Sequence, residues 1–523
     1  GMQSLLEVLS LAPGNLDATR QLLDLLARLR PDSYLSDLQP ALYQCFAHPD
    51  IDPSPLARLC GQQLRLGIAD LMEPHERSLP DAVITSIADG KLWHLYLRRV
   101  INTDPELEGL LTRLRHDLCL RMTIETTERN LVALIAALAQ QCFLNQYVFD
   151  QSNDELLRIK EIETFLDQES ESFDAAAVPF ALSCAYRAPA LNSSTRALAE
   201  VLSANHPWLE DLCRLCVFEP LEESQLAEDL PVLHPVSDAT SLAVQAQYES
   251  NPYPRWHATP APPKARLREQ VRRHFSQQGS SDGATDDARV LVAGCGTGFE
   301  PIDIARRDDS VSVTAIDLSR RSLAYAKRKA DLLGCSNIEF HQGDILDLPR
   351  TDWEFDLIVC TGVLHHMLDP LAGWTVLRDM LAPDGMMRLS LYSAKARRKI
   401  RVAREHIDAQ NLTGQAHDIR EFRRGLLKDG SDSRLKTLVY SDDFYSMSGC
   451  RDLLFHVQEQ HFTLPEIQDA LDRLNLRFCG FETASGSLIK AFTDRNPDPD
   501  ALRDLRKWDA FEQWNPNSFA GMY

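Results

Sequence analysis

The feature that most constrains the fold is a change of sequence pattern near Arg289. Before it, from Ser4 to about Ala227, apolar residues recur at the three-and-four spacing of amphipathic helices, and one such stripe lies between Leu22 and Leu29. After it, short apolar runs alternate with helical stretches, in the order ARVLVAG, VSVTAID, IEFHQGD, FDLIVCTG and MMRLSLYS. Strand-helix alternation of this length predicts a parallel, doubly wound α/β sheet. We therefore expect an all-α half followed by an α/β half.

A chain of 523 residues exceeds what one hydrophobic core organises, so several domains are expected. We predict a helical domain over residues 2–235, a connecting and cofactor-capping segment over 236–288, and an α/β domain over 289–523. An insertion of about 394–462 in the last of these is predicted to form a lid. The phrase LARLRPD resembles the end of a tetratricopeptide repeat, but no steady period of about 34 residues follows. A degenerate helical repeat and an unrelated helical bundle both remain open.

Composition excludes several classes of function. A hydrophobic fraction of 44% with 25% charged residues is typical of a soluble globular protein. The net charge of -21 disfavours broad attraction to nucleic acid or to anionic membranes. No apolar run approaches the roughly 20 residues that span a bilayer, so a cytoplasmic location is expected. Cys213 and Cys216 lack a second pair or a histidine partner, and no metal site is predicted.

A glycine turn follows the first predicted strand. It runs through Gly294, Gly296 and Gly298, and a helix is predicted to begin near Glu300. A strand, a glycine turn and a helix N-terminus together bring backbone N–H groups close to a ligand, because no Cβ blocks its approach. A dinucleotide fingerprint requires a further glycine where Phe299 stands, which weakens a pyrophosphate interpretation.

Acidic residues close the next two predicted strands. Asp317 ends the second strand, where a carboxylate can accept hydrogen bonds from both hydroxyls of a ribose. Asp344 ends the third strand, at a position suited to an adenine amino group. The fourth strand leads into CTGVLHH, and LAPDG forms the turn into the fifth.

These five motifs, in this order and spacing, resemble the class I S-adenosylmethionine-dependent methyltransferases over about residues 245–523. The resemblance implies a Rossmann-like fold and S-adenosylmethionine as the cofactor. The helical front half, with NPYPRW, FYSMSGCRDLLFH and FAGMY, also resembles bacterial methyltransferases that carry tetratricopeptide-like front domains.

The resemblance implies roles for particular residues. The implied cofactor-binding residues are Gly294, Gly296, Gly298, Asp317, Leu318, Asp344, Ile345 and Thr361. Within this set, the glycines would pass under the methionyl and ribose portion and Asp317 would bind the ribose diol. Asp344 and Ile345 would flank the adenine, and Thr361 would present backbone to the methionyl end. One position departs from the family: Val292 stands where an acidic residue usually helps to hold the methionyl ammonium group.

The stretch QYESNPYPRW raises a separate question, because amide and amine methyltransferases place an Asn-Pro-(Pro)-Tyr turn beside the reacting nitrogen. That turn follows strand four, whereas Asn251-Pro252-Tyr253 lies ahead of strand one. We therefore interpret the segment as a cap in which Arg255 binds the cofactor carboxylate. The alternative is that it only fixes the connecting segment to the domain.

Methyl transfer gains most from alignment and from exclusion of water, and a base is needed only if the acceptor must lose a proton. His365 and His366, just after strand four, are the candidate general bases. The alternative is that one of them caps the following helix. The predicted lid carries basic residues that either receive an acidic acceptor or form a solvated helix face: Arg397, Arg398, Arg401, Arg423 and Arg424.

Three functions follow from this sequence. The first is a methyltransferase whose helical half recruits a protein acceptor or partner, because helical repeat surfaces commonly bind peptides. The second is a methyltransferase for a small molecule or lipid-like metabolite. The third is a scaffold that binds S-adenosylmethionine without turnover. Nucleic acid is not expected as a substrate.

Overall fold

The computed structural model describes residues 1–72, 78–122, 128–168, 173–258, 262–267, 269, 288–428, 434–482, 486–516, 518–519 and 521–523. Residues 270–287 of the predicted connecting segment lie outside these ranges. The chain divides into two compact units. The helical unit comprises Gly1–Glu222, Trp256–Pro260 and Asn411–Leu453. The sheet unit comprises Glu223–Arg255, Ala261–Gln410 and Leu454–Tyr523.

The described helices are numbered in chain order. In the first half they are α1 Met2–Leu11, α2 Leu16–Leu26, α3 Leu38–Ala47, α4 Ala57–Leu66, α5 Asp81–Asp89, α6 Lys91–Arg99, α7 Pro105–Arg121, α8 Arg129–Leu144, α9 Asn153–Gln168, α10 Phe173–Cys184, α11 Ser193–Asn205, α12 Glu210–Cys213, α13 Glu219–Asp229 and α14 Ala239–Ser250. In the second half they are α15 Phe299–Arg307, α16 Arg320–Leu332, α17 Pro370–Asp379, α18 Arg398–Ala409, α19 Ala416–Leu427, α20 Met447–Phe455, α21 Leu464–Leu474, α22 Gly486–Arg495 and α23 Leu505–Trp514. The strands are β1 Arg289–Ala293, β2 Ser312–Asp317, β3 Ile338–Gln342, β4 Phe355–Thr361 and β5 Leu381–Ser390.

The interior of the helical unit contains α8, of which twelve of sixteen residues are buried. A helix that is apolar on all sides is stable only when neighbours cover it. Its buried Gln141 side chain donates hydrogen bonds to the carbonyls of Leu97 and Val100 and accepts one from the N–H of Asn102. Gln141 therefore pairs backbone groups in and beside the loop between α6 and α7.

The sheet unit contains a parallel sheet with strand order β3-β2-β1-β4-β5. Because β1 pairs with both β2 and β4, the direction of winding reverses there, and the carboxyl ends of β1 and β4 are neighbours. In open α/β sheets, ligands bind in the crevice at such a switch point. The predicted fold class, an all-α half followed by a doubly wound α/β domain, is confirmed.

The aromatic C-terminal tail docks on the sheet unit. Trp508 of α23 stacks on Phe492 with ring centroids 3.7 Å apart, and both side chains are buried. The last residue, Tyr523, pairs through its backbone with Leu391 just beyond β5. The tail therefore adds both apolar contact and backbone pairing to this edge of the fold.

The two units differ in extent from the predicted domains. Of the predicted lid, 411–453 fold with the helical unit, whereas 394–410 and 454–462 belong to the sheet unit. Residues 223–235, predicted as helical domain, also belong to the sheet unit. The boundaries at 235 and 288, and a lid function for the insertion, stay predictions.

The tetratricopeptide-like repeat also stays a prediction. The helices from α1 to α11 range from 9 to 17 residues, so their lengths show no simple repeat. Across the described residues, no helix has both the length and the hydropathy needed to cross a membrane.

Candidate active site

The glycine turn between β1 and α15 has a backbone that only glycine adopts readily. Gly294, Gly296 and Gly298 have φ values of 72°, 53° and 82°. A Cβ on Gly296 would lie 2.9 Å from the carbonyl oxygen of Tyr253, and one on Gly298 would lie 2.4 Å from the Cβ of Ala326. The glycines therefore let the turn approach neighbouring backbone and α16 closely.

Residues 251–255, which we call the strap, lie against this turn. The Thr297 hydroxyl donates a hydrogen bond to the carbonyl oxygen of Pro254, next to the contact between Gly296 and Tyr253. The guanidinium of Arg255 is 5.5 Å from the ring centroid of Tyr325 in α16, and 3.9 Å from a carboxylate oxygen of Glu223. These contacts agree with the interpretation that the segment is fixed to the domain. A cofactor-binding role for Arg255 stays a prediction.

Asp317, at the end of β2, is held by two backbone donors. Its Oδ2 accepts a hydrogen bond of 2.8 Å from Gly296 N–H, and its Oδ1 accepts one of 2.8 Å from Ser319 N–H. Burial raises the pKa of this carboxyl to about 6, so it is mainly ionised at neutral pH. Each oxygen keeps a lone pair for a further donor, which suits a diol. The carbonyl of the next residue, Leu318, accepts from the Gln342 side-chain amide.

Asp344 begins the short 3₁₀ helix that follows β3. Its Oδ1 accepts a hydrogen bond of 3.0 Å from Leu346 N–H, so the carboxylate caps this helix. The adjacent Ile345 is buried in the apolar core of the sheet unit. Both residues lie at the carboxyl end of β3, at the same edge of the sheet as Asp317.

Thr361, the last residue of β4, contacts an acidic residue that the sequence analysis did not select. Its hydroxyl is 3.4 Å from Oε1 of Glu300, in the first turn of α15, and donates a hydrogen bond to it. Arg388 of β5 lies 2.9 Å from the same oxygen and 2.8 Å from Oε2 of Glu482. One sequence signal could have pointed to Glu300. Val292 stands where the family usually has an acidic residue, so a carboxylate elsewhere near the turn could be expected.

The two candidate general bases are enclosed. His365 has no exposed surface, and its ring stacks on Tyr392 with centroids 3.7 Å apart. Neither of its ring nitrogens has a hydrogen-bond partner in the part of the chain that the structure describes. Burial and the nearby His366 lower the pKa of His365 well below its usual value.

His366 shares this enclosed region. Its Nδ1 lies 2.7 Å from the carbonyl oxygen of Gln458, and its ring stacks on that of His456 at 3.6 Å. Burial lowers the pKa of His366 to about 4, so the imidazole is neutral at pH 7. A neutral imidazole with so low a pKa is a weak base, and a base role for either histidine stays a prediction.

An ion-pair cluster packs beside these rings. The guanidinium of Arg397 is 3.7 Å from the centroid of Tyr392 and pairs through two nitrogens with Glu459. Arg404 and His461 contact the same carboxylate. Hydrogen bonding from His461 and the two arginines hold the pKa of Glu459 at about 2 despite burial. Arg397 is therefore an interior residue, which neither sequence interpretation of the basic stretch anticipated.

A family profile described as "Methyltransferase domain" matches residues 284–437, which contain the sheet, the glycine turn, Asp317, Asp344 and Thr361. The chain therefore carries a class I S-adenosylmethionine-dependent methyltransferase domain. An uncharacterized protein of Synechococcus sp. is 28% identical over 297 residues, which cover 52% of this chain and 68% of that protein. The ubiquinone biosynthesis O-methyltransferase of Neisseria meningitidis is 33% identical over 112 residues, or 21% of this chain. These residues span about half, 47%, of that relative's length.

Among solved structures, PKMT2 from Rickettsia typhi in complex with AdoHcy is similar to this chain at 18% identity. The match covers 47% of this chain and 50% of PKMT2, with a TM-score of 0.36.

The residues at the switch point of the methyltransferase domain fit S-adenosylmethionine. Asp317 is a carboxylate fixed by backbone donors, and three of the five residues of the turn are glycines without a Cβ. When bound, this cofactor supplies a methyl group on a positively charged sulfur. The residues of this chain then have three tasks: Asp317 would hold the ribose, Asp344 would hold the adenine edge, and the strap would keep water from the glycine turn.

Proposed function

We propose that this chain transfers a methyl group from S-adenosylmethionine to a side chain of a protein that its helical unit recruits. The supporting observation is the division of the chain into a sheet unit and a separate helical unit. Every element assigned to the cofactor, from the glycine turn to Thr361, belongs to the sheet unit. The helical unit is a folded body of more than two hundred residues with its own buried interior. Helical repeat proteins, the architecture that we predict for this unit, commonly bind partners through their extended surfaces.

The surroundings of the two histidines limit where a methyl acceptor can react. A small acceptor that used His365 as its base would need space beside the ring. That ring is fully buried against Tyr392 and His366. An acceptor of any size enclosed beside this ring would therefore require displacement of packed side chains.

A second candidate is methylation of a small molecule such as a phenol or a quinone precursor. It is favoured by the similarity of 112 residues to ubiquinone biosynthesis O-methyltransferase. That similarity covers only 21% of this chain, and fold alone does not fix the acceptor.

The full chain should be incubated with S-adenosylmethionine carrying a tritiated methyl group and with cytosolic extract of the organism that encodes it. The extract is first separated into macromolecules and small molecules. We expect protease-sensitive label in the macromolecular fraction. Label only in the solvent-extractable fraction would favour the second candidate. Cofactor binding without label in either fraction would favour a non-catalytic scaffold. Asp317→Ala serves as the inactive control.

A further inference from the structure

The acidic residue that is missing from β1 leaves a chemical requirement unmet. The resemblance expects a carboxylate two positions before Gly294, and Val292 stands there, buried in the strand. The α-ammonium group of the cofactor needs a negatively charged partner, because a charged donor gains most from a charged acceptor. A carboxylate elsewhere in this chain would therefore make up for the acid that is absent at position 292.

Glu300 lies where that partner is needed. It is the second residue after Gly298, in the first turn of α15, and its carboxylate contacts the Thr361 hydroxyl at the carboxyl end of β4. Thr361 is the residue that the resemblance assigns to the methionyl end of the cofactor. The glycine turn, Thr361 and Glu300 therefore converge on one place at the switch point of the sheet.

The charges at this place leave an excess of one negative charge. Arg388 lies within 3 Å of carboxylate oxygens of both Glu300 and Glu482, at 2.9 and 2.8 Å. One guanidinium thus serves two carboxylates. The contacts described for the Glu300 side chain all use Oε1. Burial raises the pKa of Glu300, and the negative charge of Glu482 acts in the same direction. A bound cation would offset both effects.

We propose that Glu300 binds the α-ammonium group of S-adenosylmethionine and replaces the acid that is absent at position 292. Thr361 and Arg388 act as positioning residues, because they hold the Oε1 atom and leave the second oxygen available. The assignment rests on the cofactor of the methyltransferase domain, and it holds for any methyl acceptor.

The test is a binding cycle measured by calorimetry on the full chain. The ligands are S-adenosylhomocysteine and its desamino analogue, in which hydrogen replaces the ammonium group. In the wild type, we expect the desamino analogue to bind about tenfold to hundredfold more weakly, the range for a charge-assisted hydrogen bond. In Glu300→Gln, we expect S-adenosylhomocysteine to weaken by a similar factor while the affinity for the desamino analogue stays within about twofold.

The matched control is Asp303→Asn on the same helix, where the carboxylate pairs with Arg307 instead. It should leave both affinities unchanged.

Equal binding of the two ligands by the wild type would overturn the proposal, and this measurement does not depend on the folding of any variant. An equal loss of both ligands in Glu300→Gln would also overturn it and give the residue a structural role. If the wild type binds neither ligand, the cofactor assignment fails as well. Failure to find an acceptor changes none of these measurements.

Discussion

Two arginine–glutamate pairs show how differently the two units treat charge. In the helical unit, Arg423 and Glu108 join α19 to α7, and their side chains are 2% and 4% exposed. In the sheet unit, Arg388 and Glu300 are 48% and 23% exposed. The first pair is closed to solvent, whereas the second opens at the edge of the sheet where the cofactor motifs end. The two pairs have the same chemistry and differ in exposure, so solvent, and the ligand that we propose, can reach only the second of them.

The closed pair is complete by itself. Arg423 donates through two nitrogens to both oxygens of Glu108, and also to the carbonyl oxygens of Val148 and Phe444. A buried ion pair is tolerated only when hydrogen bonds satisfy nearly all of its polar atoms. The pair therefore fastens 411–453 to the rest of the helical unit, and its burial keeps both side chains from solvent.

The largest expected effect breaks the closed pair. Glu108→Gln leaves the guanidinium of Arg423 buried without a counter-charge, which should lower the free energy of unfolding by about 3–5 kcal/mol. Arg424→Ala, one residue along the chain, removes an exposed pair with Asp150 and should cost less than about 1 kcal/mol. Urea unfolding followed by circular dichroism measures both. If both variants lost the same free energy of unfolding, the distinction between closed and open pairs would be wrong.

The next effect concerns the open edge of the sheet. Asp317→Ala removes the carboxylate that would accept the ribose diol and leaves Gly296 N–H without its acceptor. We expect the affinity for S-adenosylhomocysteine to fall by about tenfold to hundredfold. Asp331→Ala, on the exposed side of α16, is the matched control. Unchanged affinity in Asp317→Ala would place the cofactor elsewhere.

A third prediction tests whether His366 is closed to solvent, as Arg423 and Glu108 are. The folded-state pKa of His366, about 4, lies below the unfolded value of about 6.5. The unfolded chain therefore binds more protons below pH ~6.5, so stability is fully present above that pH and declines as pH falls towards about 4. Glu459 contributes a further loss of stability at lower pH, as the pH falls from its unfolded pKa of about 4.3 towards its folded pKa of about 2.

His366→Gln should remove about 1–3 kcal/mol of the stability change between pH ~7 and pH ~4.5. His417→Asn, which changes an exposed imidazole, should leave that change intact. Unfolding by urea at both pH values measures the difference. If His366→Gln does not flatten the profile, the imidazole is solvated in solution and a base role becomes easier to sustain.

The smallest expected effect distinguishes two roles for Arg255. If it fixes the strap through Tyr325 and Glu223, Arg255→Ala should weaken S-adenosylhomocysteine and its decarboxylated analogue alike, by about two- to fivefold. If it binds the cofactor carboxylate, only S-adenosylhomocysteine should weaken. Calorimetry with the two ligands decides, and Glu223→Gln should reproduce the first pattern alone.

Much of the candidate site could be proposed from the sequence because its signals are local. A glycine turn between a strand and a helix, and acids at two strand ends, are defined within a few residues of sequence. Glu300 was missed because its role depends on β4 and β5, which follow it by about sixty and ninety residues. The five basic residues of the insertion were ambiguous for the same reason. Arg397 and Arg423 are interior, and only their distant partners Glu459 and Glu108 account for it.

The sequence alone determined the two-part architecture, the positions of the five strands along the chain and the residues of the glycine turn. Periodicity and backbone constraint act over short distances and can be read directly. The tertiary structure decided which charges are closed and which are open, and that the strap lies on the glycine turn. It also decided that 411–453 fold with the helical unit. These depend on burial and on partners far apart in the chain, and the free energy of a charged group is set by that environment rather than by its neighbours in sequence.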